Sequence, residues 1–135
     1  MSRGMYVGWI LLLAAGLLPA VPSRPRVLFM KATAYFRAPE PTRAGNRARE
    51  GIVAADPRVL PLGTRIRVRG AGRYDGVYLV TDTGRDVCGR EIDIYIPNAG
   101  RSRRFGEKRV RVTILSIGHG PKQARREARE DLIHH

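Results

Sequence analysis

Three aspartates stand where a carboxyl group could do proton chemistry: Asp56, Asp82 and Asp93. Asp93 is the hardest to explain as scaffold. In Glu91-Ile92-Asp93-Ile94-Tyr95-Ile96 the isoleucines share one face of a strand, so Asp93 shares the other with Tyr95. Aspartate is disfavoured in strands, so a carboxyl on a rigid strand, beside an aromatic and off the core, calls for an explanation. Asp82 follows the apolar run Val77 to Thr81 and enters a Thr83-Gly84 turn, while Asp56 opens a turn at Pro57. Taken singly, those two read as ordinary turn residues. All three nevertheless fall at strand ends or on an outward strand face, where one groove could collect them. Holding a cation is the other chemistry open to them, but no loop has the dense ligand spacing of a calcium site. No metal and no cofactor are expected.

The elements that must position them are mostly strands. Val27 to Tyr35 is apolar and β-prone. Thr64 to Arg69 alternates strictly, with Ile66 and Val68 on one face and arginines on the other. Val77 to Thr81 and Glu91 to Ile96 are further strands. Arg109 to Ile117 alternates through Val110, Val112 and Ile114, then changes parity at Leu115 and Ile117, as a bulge or a fully buried end would. Turn residues separate these runs at Asp56-Pro57, Pro61-Leu62-Gly63, Gly70-Ala71-Gly72, Asp75-Gly76 and Thr83-Gly84. Pro97 to Phe105 can form a short helix, and Arg37 to Glu50, with Pro39, Pro41 and Gly45, reads as a long loop. Many short strands at close spacing predict a small all-β barrel or sandwich.

Residues 1–23 read as a signal peptide or an N-terminal membrane anchor. Arg3 precedes an apolar run from Met5 to Leu18, and small residues follow. That run of about 14 residues is short beside the roughly 20 that a bilayer span needs. Export to a periplasm, a cell wall or the outside is therefore expected, with membrane attachment through this segment as the variant. The single Cys88 cannot form an internal disulfide, so an exported domain here must hold by packing alone. A folded domain over 24–118 and a charged tail over 119–135 complete the layout; the tail reads as an exposed helix or a frayed end. The formal charge of +13, carried by 22 Arg and 3 Lys, favours polyanions. Outside a membrane these are anionic cell-wall polymers and lipid rather than nucleic acid, for which the chain has no motif.

The ordered runs Gly51 to Pro57, Val59 to Thr64, Thr81-Asp82-Thr83-Gly84 and Gly89 to Tyr95 resemble the 3D domain family, named for three aspartates. Thr33-Ala34-Tyr35 and Phe105-Gly106 followed by Val110-Arg111-Val112 match its flanks, so the resemblance runs from about Lys31 to Leu115. It implies an all-β, six-stranded double-psi β-barrel with one short helix, related to membrane-bound lytic transglycosylase A. The implied activity is lytic transglycosylation of peptidoglycan glycan strands, cutting the MurNAc-GlcNAc bond without water and leaving a 1,6-anhydro end. Carried over, Asp93 would be the acid/base, Asp82 its electrostatic neighbour and Asp56 the supporting member. Tyr35, Thr83, Gly84, Gly89 and Tyr95 would contact the glycan. An intramolecular nucleophile removes the need for the second carboxylate that hydrolytic glycosidases use. The acid must start protonated near neutral pH, which burial and a nearby carboxylate such as Asp82 would favour.

Two positions depart from the family pattern: Arg85 replaces a usual glycine after Asp-Thr-Gly, and Cys88 a usual lysine. Both lie in the loop between Asp82 and Asp93, so the sequence leaves open an expansin-like module that binds wall glycan without cutting it. Cys88 reads as a small apolar filler, His119 as a loop residue at the barrel end, and His134-His135 as solvated tail.

Overall fold

A computed structural model describes residues 16–19, 23–38 and 40–134. Most of the proposed signal or anchor segment, 1–23, thus lies outside the described residues. Six strands are present: β1 (Val27–Tyr35), β2 (Ile52–Ala55), β3 (Arg65–Arg69), β4 (Gly76–Asp82), β5 (Glu91–Tyr95) and β6 (Lys108–Ser116). They close into a barrel in the order β1-β5-β2-β4-β3-β6. The pairs β1–β5 and β2–β4 are parallel, and the other four are antiparallel. Exchanging β1, β2 and β3 for β4, β5 and β6 leaves every neighbour relation unchanged, as in a double-psi barrel. The antiparallel pair β2–β5 maps onto itself under that exchange.

Alternation fills the interior. Met30 and Ala32 of β1, Ile66 and Val68 of β3, Ile92 and Ile94 of β5, and Val110 and Val112 of β6 are all buried in one core cluster. Burying each Ile or Val contributes about 1.5–3 kcal/mol, so packing carries a domain that has no disulfide. The alternating strands were readable, but β2 was not. Its four residues, Ile52, Val53, Ala54 and Ala55, are buried on both faces, which erases alternation. At the end of β6, Arg65 pairs with Ser116 but Ile66 with Ile114, so Leu115 is the extra residue of a bulge. Leu115 and Ile117 are about half exposed, which rules out the buried-end reading.

Two helices accompany the barrel. The short one, α1 (Ala99–Phe105), is capped by the Asn98 side chain, which accepts from the Arg101 N–H, and it stops at Gly106, φ 64°. The second, α2 (Pro121–Ile133), occupies the tail. It is neither frayed nor free: Ala124 and Ala128 are buried, and Arg65 of β3 reaches Glu127 and Asp131. Two alanines were too small a stripe to register as a docking face in the sequence. Among the described residues no helix is long and apolar enough to cross a membrane.

Candidate functional site

Strand β5 lies between β1 and β2, and its pleat sends Ile92 and Ile94 into the barrel. Asp93 and Tyr95 therefore share the outer face. The parallel register with β1 sets Thr33 beside Asp93 and Tyr35 beside Tyr95. The Thr33 hydroxyl donates to Asp93 Oδ1 at 3.0 Å, and the two tyrosine rings lie 5.3 Å apart at 57°. Burial raises the Asp93 carboxyl above its ordinary pKa, the Thr33 hydrogen bond works against that, and the Glu91 charge adds to it. Glu91 lies two residues along the same strand face.

Asp82 reaches the same face through a bulge. Val53 pairs with Val80, but Ala54 pairs with Asp82, so Thr81 is the extra residue. Were Thr81 an ordinary paired residue of the strand, Asp82 would share the parity of Val80, which points into the core. Ala54 also pairs with Asp93 on its other side. Asp82 and Asp93 therefore flank Ala54, two strand spacings or roughly 10 Å apart at the backbone. The Arg37 to Glu50 stretch, expected as a simple loop, folds over this end of β4. Arg43 and Thr83 donate backbone N–H groups to Asp82 Oδ1 at 3.0 and 2.9 Å, and Ala44 donates to the Thr81 carbonyl. Nothing in the loop's polar composition announced that docking.

Tyr35 sees both carboxylates. Its phenol is raised far above its usual pKa by burial first, then by the charges of Asp82 and Asp93. Its hydroxyl is buried without a hydrogen-bond partner among the described residues. A donor with no partner, next to two carboxylates, is the clearest sign that this face receives something else.

Asp56 does different work. Its carboxylate takes both Arg58 Nε and Nη2, at 3.0 and 2.8 Å, together with the N–H groups of Arg58 and Gly89. The Arg58 hydrogen bond, then the Gly89 and Arg58 N–H groups, hold it well below the usual carboxylate range. Asp56 thereby ties the turn after β2 to the loop that leads into β5. Gly89, which the resemblance places against glycan, donates its N–H to Asp56, and φ of 68° there calls for glycine. Thr83 and Gly84 are half-buried at the mouth of the same loop; a Cβ on Gly84 would lie 2.6 Å from Val87 Cγ2.

Cys88 is exposed, which corrects its reading as a core filler. Arg85 is exposed in the same loop. His119 is exposed too, with its N–H on the Gln123 side chain at the start of α2. Among the described residues no three His, Cys, Asp or Glu side chains converge as a metal site. A cleft of about 410 Å³ opens beside Tyr95, between Tyr74, Tyr78, Arg73 and Arg101. Tyr95 is the residue it shares with the aspartate face, and its volume is within the range of small-ligand sites.

The 3D domain family model matches residues 51–116, which spans β2 to β6 and leaves out β1 and the loop that follows it. Two Bacillus subtilis (strain 168) proteins are similar. YabE, named for cell wall shaping, is 34% identical over 71 residues, 53% of this chain and 16% of its own length. The cell wall-binding protein YocH is 34% identical over 65 residues, 48% of this chain and 21% of its own length. The chain thus spans about a fifth or less of these relatives. A crystal structure of MltA from Escherichia coli, described as a lytic transglycosylase fold, aligns with a TM-score of 0.51 and 23% identity. That alignment covers 62% of this chain and 29% of MltA, and it shows a shared fold.

Proposed function

Because the chain carries a 3D domain, we propose that it is a cell-envelope protein that cleaves peptidoglycan glycan strands as a lytic transglycosylase. The observation that carries this reading is Asp93: a half-buried carboxyl of raised pKa on the outer face of a strand, next to Asp82 and an unpartnered tyrosine hydroxyl. The protonated Asp93 gives its proton to the glycosidic oxygen as the bond to muramic C1 breaks. The resulting carboxylate then takes the proton from the C6 hydroxyl of the same sugar, whose oxygen closes on C1. No water enters, and Asp93 ends protonated as it began. Thr33 stabilises the carboxylate formed midway, and the Asp82 carboxylate, whose Oδ2 has no partner among the described residues, faces the positive charge developing at C1. Tyr35 and Tyr95 supply a surface against which a sugar ring stacks. Asp56 acts through the loop it holds.

A second reading has its own support. Asp56 and Asp82 both make the backbone hydrogen bonds of turn residues, and YocH is named for wall binding. In that case the same face binds glycan and cuts nothing. Incubation of the protein with purified sacculi, followed by mass spectrometry, separates the two. The transglycosylase produces 1,6-anhydromuropeptides, and Asp93→Asn abolishes them. Binding without such products, across a range of pH, assigns the protein to the noncatalytic class. Products that persist in Asp93→Asn would remove Asp93 from the role of acid.

A further inference from the structure

The loop that covers Asp82 meets α2 around a pocket of about 360 Å³. Its wall contains Arg47, Arg49, Arg125 and Arg129 and no carboxylate. The cleft beside Tyr95 differs, since Glu50 and Asp75 share it with its arginines. Two of the four guanidinium groups are built into place. Arg125 donates from Nε to the Ala44 carbonyl at 3.0 Å and lies flat on Gly45, where a Cβ would come within 3.1 Å of its carbon and nitrogens. Arg49 donates from Nη2 to the Ala128 carbonyl at 3.1 Å and pairs with Asp131 at 3.4 Å, while its buried Nε has no partner among the described residues. Arg47, Arg125 and Arg129 are exposed, and Arg47 has a 3.5 Å contact to the exposed Glu40.

Arg125 and Arg129 stand four apart on one helix, and like charges at that spacing repel. Two more cations converge on them from the loop. Arg49 is already paired with Asp131, and an anion seated among the others would offset their mutual repulsion. Guanidinium forks match the oxygens of a phosphate better than a point charge does. Leu132, largely exposed on the same wall, offers an apolar contact to whatever carries that phosphate.

We propose that this pocket binds phosphate groups of an anionic polymer, at a site separate from the aspartate face. It gives the +13 charge a specific place to act. The reading does not depend on glycan cleavage. The loop is shared, however: the Arg43 backbone N–H donates to Asp82 Oδ1 from the same segment.

The test uses short-chain inorganic polyphosphate, titrated into the full-length ¹⁵N-labelled chain at fixed ionic strength. Arginine Nε–H resonances of Arg49 and Arg125 are expected to shift and saturate. Arg47→Gln with Arg129→Gln should weaken binding about tenfold, because two charge-assisted contacts are lost. The control is Arg69→Gln with Arg111→Gln, two exposed arginines paired across β3 and β6. It removes the same charge and should cost under about twofold. Equal losses in both double variants would overturn the proposal and leave only net charge. Unmoved Arg49 and Arg125 resonances would overturn it as well. Capture by phosphatidylglycerol vesicles with no polyphosphate binding would do the same, assigning the arginines to a membrane surface.

Discussion

Replacing Thr33 by valine keeps shape and strand preference and removes one hydroxyl. That hydroxyl is 3.0 Å from Asp93 Oδ1 and opposes the burial that raises the Asp93 pKa. A hydrogen bond to a charged group contributes about 1.5–3 kcal/mol when shielded. Asp93 is only half-buried, and solvent competes for it, so about 1 kcal/mol is a fair figure here. One pH unit corresponds to about 1.4 kcal/mol. Losing the bond favours the protonated form, so the alkaline limb of the pH–rate profile should move upward by about 0.7 unit. Turnover at the optimum should fall a few-fold, because the carboxylate left when Asp93 gives up its proton is less stabilised and Asp93 is a weaker acid. The assay is release of anhydromuropeptides from sacculi at a series of pH values, with circular dichroism to verify the fold. A profile superimposable on wild type in a folded Thr33→Val variant would refute the coupling of this hydroxyl to the proton chemistry.

The remaining predictions concern the carboxylates and the tyrosine. Asp93→Asn should be more stable than wild type at neutral pH. A raised pKa in the fold means that stability falls as pH climbs from the ordinary carboxylate range through the raised value, and the amide escapes that loss. The difference in Tm should shrink towards zero in acid, and a Tm deficit at neutral pH would contradict it. Asp56→Asn should behave in the opposite sense. Its pKa is lowered in the fold, so its stabilisation is complete above the ordinary carboxylate range and fades as pH falls towards the folded value. The variant should lose Tm at neutral pH and converge with wild type in strong acid. Tyr35→Phe removes a buried hydroxyl that has no partner, so the fold should be unchanged or up to about 1 kcal/mol more stable by urea denaturation. Glycan binding measured by calorimetry should weaken in the same variant; a destabilised fold with full binding would show the hydroxyl to be structural.

Much of this arrangement was legible because it depends on alternation. Ile92, Ile94 and Ile96 announced which way Asp93 faces, and β1, β3, β4, β5 and β6 came out within a residue or two of their observed ends. What escaped depends on partners distant in the chain. Ile52 to Ala55 is too short and too uniformly buried to show a period. The bulge at Thr81 turns Asp82 outward, yet it is set by the register with β2 and leaves no mark in the run Val77 to Thr81. Glu91 was passed over as a charge acting on Asp93, although strand parity puts the two on one face. The Arg37 to Glu50 stretch read as a long polar loop, but Thr42 and Ala44 are buried, and Ala44 bonds to Thr81 of β4. Polar composition reports the side of a segment that meets water and is silent about the side that docks.

The strand order has a kinetic consequence. Among the six strands only β3 and β4 are both neighbours in sequence and partners in the barrel. Thr33 and Asp93 meet across a separation of 60 residues, and Asp93 shares Ala54 with Asp82 through β2. Pairings of that kind make folding slow, because loop-closure entropy is lost before the contacts that offset it can form. Neither the burial of Asp93 nor its bond to Thr33 exists until β1 and β2 have both closed on β5. An unfolded chain, or a fragment cut within the Arg37 to Glu50 loop that loses β1, therefore carries an ordinary, ionised aspartate. For the transglycosylase proposed above, the acid would therefore come into being only with closure of the barrel.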